Sequence, residues 1–497
     1  MRFPTSRFPA SRFPTLKYDL TASLVVFLVA LPLCVGVAVA SGVPAELGLI
    51  TGIVGGLVTG LLPGSSLQVS GPAAGLTVLV AETVQRFGLP ALGLVVAAAG
   101  LLQLLLGALR WGRWFRAISV AVVEGMLAGI GLVIIAGQLY AMADRPAPAS
   151  GTDKLLGLPA LLARLVSSPA AGGTFLIGAG TIAVIVLWQR LPARARVVPG
   201  ALVAVVLATA ATWLLDRPMK KVEVKGLLDA VQPPGTGAFE QFTPALIVTV
   251  VAFTLVASAE SLFSAAAVDR LHDGPRTDYD KELMAQGAGN ALCGALGALP
   301  MTAVIVRSAT NVQAGARTKA SRVLHGVWLL LFAALLPAAL GVIPVAALAG
   351  VLVHAGFKLL PFKQFGPLWR EHRPEALVLL ATAVAIVMVN MFEGVLIGLG
   401  LSVVKTAWET SRLHVETEEQ PEGHVRVRLT GNATFLRLPR LLDTLEALPA
   451  DRVVELDLSG LRHLDHACQT ALTTWTERHN ARAPEEVRLI PALAGRV

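Results

Sequence analysis

The residues of this chain that could do chemistry lie at two breaks in otherwise apolar sequence. The first is Ser70-Gly71-Pro72 within SSLQVSGPAAGLTVLV (Ser65–Val80), and the second is Pro300-Met301-Thr302 within GALGALPMTAVIVRSATNVQAG (Gly294–Gly315). Each sets a proline and a hydroxyl residue just before a short apolar stretch. One Ser-Gly-Pro in a membrane segment would pass for a kink or a packing site. Two such breaks in corresponding places of two halves point instead to a transporter site, where irregular backbone is tolerated because it lines a cavity. A helix that starts at mid-membrane turns its first N–H groups and the positive end of its dipole into that cavity, so a bound anion supplies the missing acceptors. On this reading Ser70 is an N-cap, Pro72 fits the first turn without needing a donor, and Ala73 and Ala74 let a ligand approach the backbone. Thr302 serves the second break in the same way. Arg307, about a turn and a half further on, is costly in lipid and is expected to face the interior or the cavity. The chemistry is non-covalent: a small anion held between two facing helix N-termini.

Glu260, in LVASAESLFSAAAVDR, lies well inside an apolar segment, where a bare carboxylate is expensive. It is the candidate coupling group, taking up a proton or contacting a cation. The alternatives are a permanent ion pair with Arg307 and a hydrogen bond to a broken helix. Sodium needs several oxygen ligands, and the obvious extras are only Ser258, Ser261, Thr302 and free carbonyls, so a proton is preferred. Glu124 and Glu393 lie nearer segment ends and are read as structural; His325 and His354 are read as lone loop or segment-end residues. Cys34, Cys293 and Cys468 are far apart and suggest neither a disulfide framework nor a metal site. With no nucleotide-binding loop, catalytic triad or metal-ligand spacing, no enzyme activity, cofactor or metal is expected.

The elements that must position these residues are membrane helices. Of 497 residues 54% are hydrophobic and 15% charged, with 47 glycines and a mean hydropathy of +0.67, which places the chain among polytopic membrane proteins. Runs such as Leu20–Ala40, Ile118–Leu139 and Leu246–Val268 approach or reach the length a helix needs to span a bilayer. Others are short or rich in Gly and Pro, and about fourteen segments are expected in all. The first break falls in the third segment, the second in about the third segment of a second half that starts near Pro244.

The N-terminal arm, with Arg2, Arg7 and Arg12 in a repeated unit, has no apolar region of a secretory signal; it reads as a disordered basic arm, of low complexity or touching acidic lipid headgroups. Alternate loops hold Arg110/Arg113/Arg116, Arg190/Arg194/Arg196, Arg270/Arg276/Lys281, Arg317/Lys319/Arg322 and Lys358/Lys363/Arg370/Arg373, roughly twenty basic residues with the arm against about eight on the other side. Both termini are therefore expected in the cytoplasm. This bias accounts for the net charge of +8 without a nucleic-acid partner. After about Thr410 the hydrophobic runs shrink to strand length. His424–Thr430 and Arg452–Gly460 read as strands and Ala471–Asn480 as a helix, a small cytosolic α/β module.

The run VALPLCVGVAVASGVPAELGLITGIVGGLVTGLLPGSSLQVSGPAAGLTVLV resembles the signature region of the SulP family of anion transporters, whose animal members form the SLC26 group. ESLFSAAAVDR and RSATNVQAGARTKAS are similar to that family's second-half patterns, and VVELDLSGLRHLDHACQTALTTW resembles a STAS domain. The resemblance implies fourteen segments as a 7+7 inverted repeat, divided into core and gate domains, with substrate between the third and tenth segments and elevator-like movement of core against gate. It also implies a homodimer in a bacterial inner membrane. Divided accordingly, residues 1–17 are the arm, 18–412 the transport domain (repeats 18–215 and 243–412) and 413–497 the STAS domain.

Carried over by the resemblance, the substrate site comprises Ser70, Gly71, Pro72, Ala73, Thr302, Ala303, Val304, Val306 and Arg307, with Glu260 at an acid implicated in coupling. Many members carry Gln and an aromatic residue facing the substrate where this chain has Leu33 and Val37, which leaves that wall apolar. Asp465 is followed by His466, not by the phosphorylatable Ser of the anti-sigma antagonists that share the STAS fold. The expected function is secondary active transport of a small anion (sulfate, bicarbonate or a dicarboxylate such as fumarate), coupled to a proton. The alternatives are sodium symport, anion exchange, a nucleobase permease, and an anion-sensing scaffold that signals through its tail.

Overall fold

A computed structural model describes residues 13–491 apart from 114–118, 149, 193–197, 216–218, 225, 228, 235–242, 421–423, 450–451 and 484. The arm arginines Arg2, Arg7 and Arg12, and the loop residues Arg116, Arg194 and Arg196, lie outside the described residues. Contacts divide the chain into Met1–Gly398 and Leu399–Val497.

The first unit runs α1 (Phe13–Ala40), α2 (Ala45–Val54), β1 (Ser70–Pro72), α3 (Thr77–Phe87), α4 (Leu89–Ala108), α5 (Val120–Met142), α6 (Gly151–Leu156), α7 (Leu158–Ser167), α8 (Pro169–Trp188) and α9 (Gly200–Leu214). It continues with α10 (Pro244–Val268), α11 (Tyr279–Ala295), β2 (Met301–Ala303), α12 (Ile305–Gln313), α13 (Ala320–Leu335), α14 (Val345–Leu359), α15 (Phe362–Glu371), α16 (Arg373–Met388) and the start of α17 (Met391–Thr410), a helix that runs through the division between the units. With the short α6, α7 and α15 set aside, seven helices precede residue 215 and seven follow residue 243 among the described residues, and the third of each series is a short helix preceded by a strand. Among the described residues seven helical stretches, one of them α14 together with α15, are long and apolar enough to cross a membrane by length and composition, and three shorter helices are apolar as well. The helix starts follow local chemistry. Thr243, Ser168 and Asp278 cap α10, α8 and α11 through their side chains, and Pro244 and Pro169 occupy first-turn positions where no donor is needed.

The helices of this unit associate in two groups. In one, α4 lies along α11 and α10, and α1 packs on α2 and α13; in the other, α5 packs on α14 and α16, and α8 on α9 and α14. Small residues permit the close approach. Gly93, Gly100 and Gly107 recur every seven residues on α4, and a Cβ at Gly100 would press on the α11 backbone at Asn290, Ala291 and Gly287. In the second group Gly125 and Gly129 of α5 face Thr382 and Ile386 of α16 in the same manner. The groups meet where α1 touches α14 and α9 and where α3 touches α5.

The second unit contains a four-stranded sheet ordered β3 (Leu413–Glu419), β4 (Val425–Ala433), β5 (Val454–Leu464), β6 (Arg488–Ile490), with β3 antiparallel to β4 and the other pairs parallel. α18 (Leu438–Glu446) and α19 (His466–Asn480) supply Leu441, Leu445, Leu472 and Trp475 to a core shared with Val427, Leu429, Val454 and Leu456. Asp465 caps α19 by accepting the Cys468 N–H at 2.8 Å.

Candidate functional site

The two sequence breaks meet. β1 and β2 pair antiparallel, with Ser70 opposite Ala303, Gly71 opposite Thr302 and Pro72 opposite Met301, and the Val304 N–H donates to the Val69 carbonyl at 3.0 Å to lengthen the ribbon. Each strand leads into a helix start: β1 through a 3₁₀ turn (Ala74–Leu76) into α3, and β2 through Val304 into α12. This corrects the capping expectation. Ser70 lies in the strand, not at a helix cap; its hydroxyl accepts from Gln286 Nε2 at 2.7 Å, and Pro72 precedes the first turn. Thr302 is likewise buried in β2. The residues before the helical turns are Ala73 and Val304, both extended and neither able to cap with a side chain. Among the described residues, neither helix start has a side-chain cap.

A cavity of about 660 Å³ lies against these starts. Pro72, Val304, Val306 and Arg307 line it, as do Leu33 and Val37 from α1 and Glu260 from α10. Ser70, Gly71, Ala73, Thr302 and Ala303 do not line it; they form the buried ribbon and turn beneath. The opposite wall comes from the second helix group, through Met126, Val351, His354 and Lys358 among others. His354 is thus a cavity residue, with Nε2 3.3 Å from Gln189 Nε2, and not a segment-end bystander.

Arg307 is 1% exposed, and its Nε and Nη1 have no hydrogen-bond partner among the described residues. Its guanidinium packs on Gly71, where a Cβ would fall on Nη1. Cys34 and His325 are its neighbours. His325 is wholly buried in α13, again unlike the expected loop residue. Glu260 does not pair with Arg307: its carboxylate lies beside Thr302 and against Gly75, whose added Cβ would sit 2.8 Å from Oε2. The two groups thus occupy separate seats on the first break, each made by a missing side chain.

A buried polar network that sequence reasoning missed holds the ribbon. Asn290 grips Met301 at both ends, accepting its N–H at 2.7 Å and donating to its carbonyl at 3.0 Å, and also donates to Gln103 Oε1. Gln286 donates to Ser70 Oγ and to Glu282 Oε1, while Glu282 Oε2 accepts the Ser65 N–H. Ser308 Oγ accepts the Val69 N–H, Ser261 Oγ accepts the Ala303 N–H, and Arg322 donates to the carbonyls of Thr59, Gly60, Leu62 and Gln68. The signal was there: Glu282, Gln286 and Asn290 recur at four-residue steps, on one face of a membrane helix.

A second cavity, of about 730 Å³, opens between the same two helix groups and is lined by Thr77, Glu82, Lys154 and Lys221 among others. Ile130 sits one turn from Met126 of the first cavity and one turn from Ile134 of the second; with Val37 and Leu76 it belongs to one apolar cluster between them.

The Sulfate permease family matches residues 16–382, about three quarters of the chain, and a STAS domain family matches residues 416–485. The chain belongs to the sulfate permease family. Among its relatives, the bicarbonate transporter BicA of Picosynechococcus is 26% identical, over 84% of this chain and 75% of BicA. Sulfate transporter 2.2 of Arabidopsis thaliana is 24% identical, over 96% and 77%. The solved transmembrane domain of a cyanobacterial BicA matches this sulfate permease family member at 25% identity with a TM-score of 0.66, covering 79% of this chain and 98% of that one. Murine Slc26a9, an anion transporter solved in the inward-facing state, shares the fold with a TM-score of 0.79 at 16% identity, over 98% and 90%. These relatives are transporters, not enzymes.

Proposed function

We propose that the chain is a secondary active transporter of small anions, with substrate held in the 660 Å³ cavity by the N–H groups at the starts of α3 and α12 and by the field of Arg307. The carrying observation is the pair of helix starts without side-chain caps, one from each half, beside a buried cation that lacks hydrogen-bond partners on Nε and Nη1. Such a site reads negative charge more than shape. The relatives named for sulfate and bicarbonate support the same substrate class. Pro72, Val304, Val306 and Arg307 are assigned to the contact surface, and Ser70, Gly71, Ala73, Thr302 and Ala303 to its support. Leu33 and Val37 give an apolar wall that favours a small organic dicarboxylate such as fumarate among the candidates.

Two cavities on either side of an apolar layer, both lying between the same helix groups, support alternating access. The group containing α1, α3, α10 and α12 would carry the site past α5, α8, α9 and α14, as an elevator. Coupling is assigned to a proton on Glu260, which lines the cavity. Sodium is disfavoured because two of the three nearby hydroxyls are occupied, which leaves Thr302 Oγ1 as the one uncommitted hydroxyl: Ser258 Oγ donates to the Thr254 carbonyl and accepts from Gln103, and Ser261 Oγ accepts from the Ala303 N–H. A homodimer in the bacterial inner membrane, with both termini cytoplasmic, completes the proposal.

A competition panel tests it: unlabelled sulfate, bicarbonate and fumarate against a labelled one of the three, in proteoliposomes. Mutual competition with a preferred dicarboxylate is expected. No uptake of any of them under any ion gradient would overturn transport in favour of a sensing scaffold.

A further inference from the structure

The short helix α15 turns a basic and aromatic surface away from the protein. It follows α14 after a break at Pro361, forms with it one apolar stretch of membrane-spanning length (Val345–Glu371), and packs on α16, to which it leads; none of its own residues is buried. On a 100° wheel Phe362, Phe365 and Trp369 fall on one side, while Lys363 and Arg370, seven residues apart, fall together on its flank. Phe362 is 69% and Trp369 41% exposed, and the Phe365 and Trp369 rings stack at 5.9 Å. Between residues 358 and 373 Glu371 is the sole acid against Lys358, Lys363, Arg370 and Arg373.

We propose that α15 is an interfacial anchor, its aromatic face seated among acyl chains and its flank of Lys363 and Arg370 holding anionic phospholipid headgroups. The occupant follows from position and charge. α15 closes the apolar stretch Val345–Glu371, whose end is where Trp and Phe favour the headgroup boundary, and a basic flank there is complementary to anionic lipid. The anchor belongs to the helix group of α14 and α16, so it holds that group at one depth in the bilayer. The inference rests on the membrane reading of the chain and is independent of which anion is carried.

The test is tryptophan quenching in the full chain, reconstituted with bromine-labelled phosphatidylglycerol or bromine-labelled phosphatidylcholine. The contribution of Trp369 is taken as the difference from a Trp369→Phe variant. Expected is quenching by both lipids with a clear preference for phosphatidylglycerol, roughly fivefold in relative association per basic residue. Lys363→Gln combined with Arg370→Gln should remove the preference and keep the quenching. Equal quenching by both lipids in the unaltered chain would overturn the headgroup assignment. Absence of quenching would overturn the anchor altogether and point to a covering protein, such as a second copy of the chain. Both decisive comparisons use the unaltered chain and Trp369→Phe, so they stand even if the double variant fails to fold.

Discussion

Gly71 and Arg307 share one space: the guanidinium of Arg307 occupies the volume in which any other residue at 71 would place its Cβ. The first break therefore contributes more than a helix start. Its glycine lets a cation from the second half lie directly behind the substrate-facing backbone. Gly71→Ala should displace that cation and weaken anion affinity at least tenfold, in the same direction as Arg307→Ala. Loss of a charge facing an anion in a desolvated cavity costs roughly 2–5 kcal/mol, a weakening of about thirtyfold to several thousandfold. Substrate titration of folded variants checks it, and unchanged affinity in Arg307→Ala would mean that the helix ends suffice alone.

Much of this was legible in the sequence because the decisive residues break a strong pattern. Ser70-Gly71-Pro72 and Pro300-Met301-Thr302 stand out against apolar runs, and so do Arg307 and Glu260. What sequence could not show was that the two breaks hydrogen-bond to each other, since antiparallel pairing of Gly71 with Thr302 is a contact across more than 200 residues. That pairing takes Ser70 and Thr302 out of the capping role that local rules assign them. The separate seats of Glu260 and Arg307 were illegible for the same reason: both depend on glycines, Gly75 and Gly71, whose meaning lies in what approaches them. His325 looked unremarkable because one buried imidazole on a helix carries no periodic signal.

Asn290 satisfies both backbone groups of Met301, so Asn290→Leu should leave an N–H and a carbonyl unpaired in a dry interior. Each orphaned group costs about 1–3 kcal/mol. A clear drop in the thermal unfolding midpoint of the purified protein is expected, with loss of substrate binding. An unchanged midpoint would mean that the ribbon is held by its other partners.

In the tail, Asp457 is held below the usual carboxylate range, chiefly by the Ser459 hydroxyl, with burial opposing and the Ser459 N–H and Arg428 assisting. A depressed folded-state value means that the stabilisation is present above the unfolded value of about 3.9 and is lost as pH falls through the folded one. Asp457→Asn in the full chain should therefore lower the protection of β5 against hydrogen exchange at neutral pH, by roughly 1 kcal/mol. The difference should shrink below about pH 4. An equal deficit at both pH values would mean that Asp457 acts by shape and not by charge.

The central claim, concentrative anion transport driven by a proton on Glu260, is tested most directly by labelled-anion uptake into proteoliposomes with proton and sodium gradients imposed separately. Accumulation above the external concentration is expected with an acidic exterior, none from inward sodium at fixed pH, and loss of pH-driven accumulation in Glu260→Gln. Stimulation by sodium alone, or full pH-driven accumulation in Glu260→Gln, would contradict it.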